Sequence, residues 1–443
     1  MDLADLGAVQ LVQMMADGEI TSVELVEACL ARIDAREEEV GAWEHLDREF
    51  VLKQAEDLDA YRASGAPCGP LHGIPVGIKN IFDTEDYPTE NGTVLDAGRE
   101  PFNDCTAVKR LRASGAIIMG KTVTTEMAVY APGKTTNPHD PMRTPGGSSS
   151  GSAAAVAAGM VPLAIGSQTN GSVIRPASFC GVVGFKPTHG LISRFGALAL
   201  SRILDHVGVF ARTLEDAALV AECLIGHDDG DPDTKLAPAP HLAEIISEEA
   251  PYEPRFAFIK SPVWDQATPD THAAFEELSE FLGEQCEEVE MPAEFDAAVG
   301  HLRNIMTADL ARFLNKYVER GEDQISDILM GMIRDGREVT AVDYNNSVDQ
   351  IGPLSAWVES LCDDYDVILT PATCGEAPLG LEATGDPVFC STWSYLGVPA
   401  VTVPLLQGEN EMPLGVQLVA PRGDDARLLR TARWLANEIA NAD

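Results

Sequence analysis

Residues 146–176 alternate between loops rich in glycine and serine and short apolar segments, and that alternation restricts the fold more than any other stretch. Gly146-Gly147-Ser148-Ser149-Ser150-Gly151-Ser152 runs straight into Ala153-Ala154-Ala155-Val156-Ala157-Ala158-Gly159, which reads as a helix opening on a tight turn. Pro162 to Ile165 reads as a short buried strand. It feeds a second loop, Gly166-Ser167-Gln168-Thr169-Asn170-Gly171-Ser172-Val173-Ile174-Arg175-Pro176. Strands and helices that follow each other through such loops call for a sheet with helices packed on it.

The rest of the chain fits the same pattern. Residues 5–63 read as helices, with Thr21 or Ser22 as a cap and Val23, Val26, Cys29, Leu30 and Ile33 on one face. Pro70 to Phe82 reads as a loop entering a buried strand that carries Lys79. A helix is expected over 107–113 and again over 426–440. Strands are expected over 116–119, 256–260, 366–370, 398–406 and 414–419. Gly226 to Pro254, with Asp228, Asp229, Asp231, Asp233 and several prolines, reads as a surface connection, and helices follow the 256–260 strand to about 360. The expected fold is α/β, a mixed central β-sheet covered by helices on both faces. Residues 1–443 are read as one domain, with a less motif-rich elaboration at about 225–355.

Seventy acidic residues against 31 basic ones give a formal charge of −39. This argues against nucleic acid or an anionic membrane as a partner. An acidic excess of this size, spread through helices and loops, is expected of a protein adapted to high salt, where screening relieves like-charge repulsion. Nine widely spaced cysteines without a Cys-x-x-Cys pair fit free thiols in a reducing cytosol. The start, Met1-Asp2-Leu3-Ala4-Asp5, lacks a basic leader segment, and no apolar run reaches membrane-spanning length, so a cytoplasmic location is expected.

Two motif matches do not hold. Gly115-Ala116-Ile117-Ile118-Met119-Gly120-Lys121-Thr122 has the letters of a phosphate-binding loop, but its interior is itself a strand. Gly147-Ser148-Ser149-Ser150-Gly151 has the letters of a hydrolase nucleophile elbow at Ser149, yet the prolines of 138–145 exclude the strand that must precede it. No metal-binding cluster is apparent, so neither a metal nor an organic cofactor is expected. His72 and His139 read as structural, and Cys180, with its apolar flank, as a packed thiol.

Lys79 lies in Val76-Gly77-Ile78-Lys79-Asn80-Ile81. A serine hydroxyl needs a base, and a lysine can be one if burial keeps it neutral. Lys79 with the serines of the two loops resembles the amidase signature family, whose triad is Ser-Ser-Lys. Leu71-His72-Gly73-Ile74-Pro75-Val76-Gly77-Ile78-Lys79-Asn80, Thr136-Asn137-Pro138, Gly184-Phe185-Lys186-Pro187-Thr188, and Gly397-Val398-Pro399-Ala400 through Gln417 share the resemblance. It implies Ser172 as nucleophile, Ser148 as a relay that follows a cis peptide bond, Lys79 as base, and an oxyanion hole at Thr169, Asn170, Gly171 and Ser172. It also implies hydrolysis of a small carboxamide to a carboxylate and ammonia.

Many members, including the glutaminase subunit of the tRNA-dependent amidotransferase, carry Asp-Thr-Gly-Gly-Ser-Ile-Arg around the nucleophile. Here Gln168 replaces the aspartate, Asn170 a glycine, and Arg175 lies one position later. Together with Ser150 and Thr384-Gly385-Asp386-Pro387, this resembles the branch that includes malonamidase. Arg175 could hold a substrate carboxylate in bidentate fashion or tie its loop to the protein. The pocket walls are expected from the elaboration and from around 385–393. The alternatives are an amidotransferase subunit working with a partner and a non-catalytic binding protein on the same scaffold. A homodimer is also open.

Overall fold

The computed structural model describes residues 2–442. Eleven strands form one sheet: β1 Trp43–His45, β2 Pro75–Lys79, β3 Ile117–Thr122, β4 Leu163–Gln168, β5 Val183–Lys186, β6 His206–Ala211, β7 Phe256–Ile259, β8 Cys286–Val289, β9 Val367–Pro371, β10 Ala400–Gln407 and β11 Pro413–Val419. Their order across the sheet is β1-β3-β2-β4-β6-β5-β10-β11-β9-β7-β8. β2 pairs parallel with β3 and β4, and β7 with β8 and β9, while the ladders from β4 through β6, β5, β10 and β11 to β9 are antiparallel. The sheet is therefore mixed, with helices flanking it, as the strand and helix alternation implied.

Every residue of β2, β3, β6 and β9 is buried, the polar Lys79, Lys121, Thr122, His206 and Thr370 included, so these strands lack the alternation of a half-exposed strand. The two edges behave differently. β1 has three residues, and β8 turns Glu287 and Glu288 to solvent. Short, charged edges resist pairing with other chains.

Several features depart from the sequence reading. β1 interrupts the helical stretch 5–63, and β8 lies among the helices expected up to 360. β5 and β6 occupy the centre of the sheet, in a stretch that does not read as strand. The acidic connection 226–254 contains the helix Leu242–Ser247. Segment 225–355 contributes β7 and β8 to the common sheet. Of the two possible caps for the helix Ser22–Val40, Thr21 is the one used: its hydroxyl accepts from the Glu24 N–H, and the Glu24 carboxylate accepts from the Thr21 N–H. Among the described residues no helix is long and apolar enough to cross a membrane.

Candidate active site

β2 and β4 are neighbours in the sheet, and they carry Lys79 and the second loop to the same edge of the core. Lys79 is the last residue of β2 and is wholly buried. Its Nζ donates to Ser148 Oγ at 2.7 Å and to Ser167 Oγ at 2.8 Å. Burial depresses its ammonium well below the ordinary lysine range, and the negative field of Asp205 opposes this only in part. Burial in this setting disfavours the charged form of the amine.

Ser148 stands two residues before the start of the helix Ser150–Ala157, and the Gly147–Ser148 bond is cis. The preceding Gly146 has φ 82°, and a Cβ there would lie 2.8 Å from Pro176 Cα, so the loop needs glycine to lie against the helix Ile174–Cys180. Ser149 faces the other way: its hydroxyl donates to Ser167 O at 3.2 Å and accepts from Ser167 N at 3.3 Å. It is a brace between the two loops, with no histidine against it.

Ser172 ends the turn that follows β4 and is 8% exposed. The structure joins Lys79 to Ser148 by a hydrogen bond; among the described residues no such bond joins the Ser172 hydroxyl to either of them. Catalytic hydrogen bonds are often loose before substrate binds. Side chains fix the turn itself. Gln168 Oε1 accepts from Val173 N at 2.8 Å and Ile174 N at 2.9 Å, and its Nε2 donates to Ser394 Oγ at 2.9 Å. Asn170 Nδ2 donates to Tyr130 Oη at 3.0 Å, and its Oδ1 accepts from Ser391 Oγ at 2.8 Å. The Ser394 hydroxyl donates to Asn170 O. Thr169 Oγ1 donates to Asp205 Oδ1 at 2.7 Å. The backbone N–H groups of Asn170, Gly171 and Ser172 have no acceptor among the described residues.

Arg175 is fully buried on the helix Ile174–Cys180. Its Nη2 donates to Gly147 O at 2.7 Å and to Thr384 Oγ1 at 3.2 Å, while Nε and Nη1 have no partner among the described residues. The guanidinium thus ties the Ser148 loop to segment 384–386 and keeps two donors free.

Asn170 and Tyr130 open onto a cavity of about 630 Å³. Its walls are mainly apolar, with Leu302 and Met306 from the helix Ala298–Phe313, Ile328 and Met332 from the helix Asp327–Glu338, and segment 382–391. The elaboration and the 385–393 region both line this cavity.

Other residues read from sequence fall outside this centre. Lys121, in the strand of the false phosphate-binding match, is buried and donates to Phe82 O, Thr84 Oγ1 and Thr89 Oγ1. Cys180 is buried, which pushes its thiol up. His139 Nε2 donates to Cys180 O at 2.9 Å. Sequence reasoning missed Ser167, Asp205, Tyr130, Ser391 and Ser394. Asp205, flanked by Ile203, Leu204 and Val207, carried a signal, since an acid drawn into an apolar run needs partners for its carboxylate.

The sequence matches the amidase family over residues 24–429. The chain belongs to the amidase family. A relative from Streptomyces avermitilis, named as a subunit of the glutamyl-tRNA(Gln) amidotransferase, is 35% identical over 477 residues, covering 96% of this chain and 93% of that protein. Among solved structures, a chain from a vestigial protein complex tied to the origins of an s-triazine catabolic enzyme superposes with a TM-score of 0.91 at 28% identity, over 98% of both chains. The native peptide amidase from Stenotrophomonas maltophilia gives 0.85 at 26% identity, over 99% of this chain and 97% of that one.

Proposed function

We propose that this amidase-family chain hydrolyses a small carboxamide to a carboxylate and ammonia, with Ser172 as nucleophile, Ser148 as relay and Lys79 as base. The observation that carries the reading is a wholly buried Lys79 whose Nζ lies 2.7 Å from Ser148 Oγ, with burial disfavouring its charged form. Ser172 Oγ attacks the carbonyl carbon while its proton passes to Ser148 and the Ser148 proton to Lys79. The carbonyl oxygen becomes an oxyanion on the backbone amides of the turn at Thr169, Asn170, Gly171 and Ser172. Losing one such donor costs about 3 kcal/mol in the barrier. The proton on Lys79 returns through Ser148 to the leaving nitrogen as the C–N bond breaks. Water then attacks the acyl-Ser172 ester along the same proton path.

The free donors of Arg175 support a substrate that carries a carboxylate, as the resemblance to the malonamidase branch suggests. A buried guanidinium without an acid partner favours an anion. Its neighbours Thr384 and Gly385 line the cavity, which gives that carboxylate a route to it.

The relatives named as glutamyl-tRNA(Gln) amidotransferase subunits favour a second reading, in which ammonia passes to the substrate of a partner protein. Gln168 and the position of Arg175 weigh against it. The test is ammonia release from malonamate, neutral aliphatic amides, aryl amides and glutamine, with Ser172→Ala as control. Serine-dependent release, highest with malonamate, is expected. Release from glutamine alone, and only beside a partner protein, would replace this reading with the second.

A further inference from the structure

Lys79 takes up a proton in a place that holds no partner charge: its two hydrogen bonds go to neutral serines, Ser148 and Ser167. A buried ammonium without a counter-charge is strongly disfavoured, so something must stabilise it during the step in which it forms. The acid whose field reaches Lys79 is Asp205, the residue before β6, the strand that pairs with β4.

Asp205 is built into the site. Its Oδ1 accepts from Thr169 Oγ1 at 2.7 Å, and its Oδ2 accepts from Leu200 N at 2.8 Å and Ser201 N at 2.9 Å. Three donors thus fix one carboxylate. Ser167, Thr169 and Asp205 line one cavity of about 320 Å³, on whose wall the partner of Lys79 and the first residue of the oxyanion turn lie together. Ser167 and Thr169, two apart across the end of β4, share a side, as a strand period of two requires.

We propose that Asp205 is a positioning residue with two effects: its hydrogen bond to Thr169 sets the turn from which Ser172 projects, and its charge compensates Lys79 while Lys79 holds the serine proton. The inference rests on the triad reading of this site. Other charges face Asp205. Arg194, from the adjoining loop, acts on its carboxyl and donates to its backbone carbonyl at 3.3 Å. His206, His189 and Lys186 form the next cluster, each held toward its neutral form by burial. Arg194 is shared among Asp205, Asp231 and Asp233, and burial pushes the Asp205 carboxyl up against these favourable contacts.

The test reads Ser172 reactivity without assuming an amide substrate. The rate of sulfonylation by an aryl sulfonyl fluoride is followed across pH for the wild type, Asp205→Asn and Thr169→Val, with the labelled residue mapped. The label requires neutral Lys79, so the rate rises with pH to a plateau. Removing the Asp205 charge makes Lys79 easier to keep neutral, so its midpoint should move down by about one pH unit. On any small amide that the wild type hydrolyses, kcat should fall about tenfold or more with KM little changed, because the charged form of Lys79 has lost its support. Thr169→Val keeps the charge and removes the tie. It should slow labelling and leave the midpoint at the wild-type value. An Asp205→Asn midpoint equal to that of the wild type, with Ser172 labelled in both, would overturn the role of Asp205 and leave the triad intact. A wild type that is not labelled at Ser172 would overturn the triad reading itself. A Thr169→Val midpoint that moves as far as that of Asp205→Asn would also overturn the inference, because the charge would then not be what sets it.

Discussion

Three of the chain's lysines, Lys79, Lys121 and Lys186, are completely buried, and the hydrogen bonds of each go to neutral acceptors only. In the proposed triad Lys79 is the base, and burial disfavours its charged form. Activity should therefore fall as pH drops through its depressed pKa, and Lys79→Arg should stay inactive at every pH, since a guanidinium does not deprotonate. Ser172→Ala should abolish turnover, Lys79→Ala should lower kcat by about 10⁴-fold, and Ser148→Ala should cost less than Ser172→Ala; steady-state kinetics on one amide ranks all three. Lys121 makes a prediction about stability. Burial holds it at about 7 in the folded protein, against about 10.4 in an unfolded chain. Above pH 7 the unfolded chain binds the extra proton, so the unfolding free energy should rise by about 1 kcal/mol between pH 7 and 8 from this residue. Below pH 7 both states are protonated and the slope from this residue ends. Lys121→Met should flatten the rise in urea titrations at pH 6, 7 and 8. At this scale Lys79 stood out as a lysine inside an apolar strand, while Ser148 and Ser172 were singled out by the family resemblance of their loops. Ser167 was not, because one serine in a serine-rich loop looks like any other. Gln168 stood out only as a departure from a common pattern, and its three hydrogen bonds explain why a long amide occupies that position.

The helices Ala298–Phe313 and Asp327–Glu338 form much of the wall of the larger cavity, and they touch at Gly336. A Cβ on Gly336 would overlap Thr307 O. Gly336→Ala should therefore push the two helices apart, destabilise the fold by about 1–3 kcal/mol, and raise KM more than it lowers kcat, because Met306 and Met332 move while Lys79 and Ser172 stay. Thermal melting and steady-state kinetics check both parts. Strands that open on an apolar run, such as Val367-Ile368-Leu369 of β9, were legible from the sequence. β8, Cys286-Glu287-Glu288-Val289, was not: it has no apolar face to read, and its backbone ladder with β7 makes it a strand. β5 escaped because four residues that include Gly184 and Lys186 resemble a loop until β6 and β10 pair on either side.

Over the whole molecule the acidic excess dominates. Pairs such as Arg194 with Asp231 and Asp233 offset part of it, but 70 acids face 31 bases. Raising salt from about 0.1 M to about 2 M shortens the screening length to a few ångströms, and the melting temperature should rise with it. An unchanged melting temperature in low salt would refute adaptation to salt. The order of the sheet has a consequence for how the protein is made. β5 is complete at Lys186, but its second neighbour, β10, begins only at Ala400, and the serines that hold Asn170 lie in Val388–Tyr395. A ribosome needs about 10–40 s to add the roughly 200 residues between them. Throughout that time the nascent chain carries Lys79, Ser148 and Ser172 on a half-built sheet with an open edge. The turn at Asn170 therefore gains its ties only once Val388–Tyr395 has been added, and a chain truncated before Ala400 should lack the β5–β10 ladder behind it.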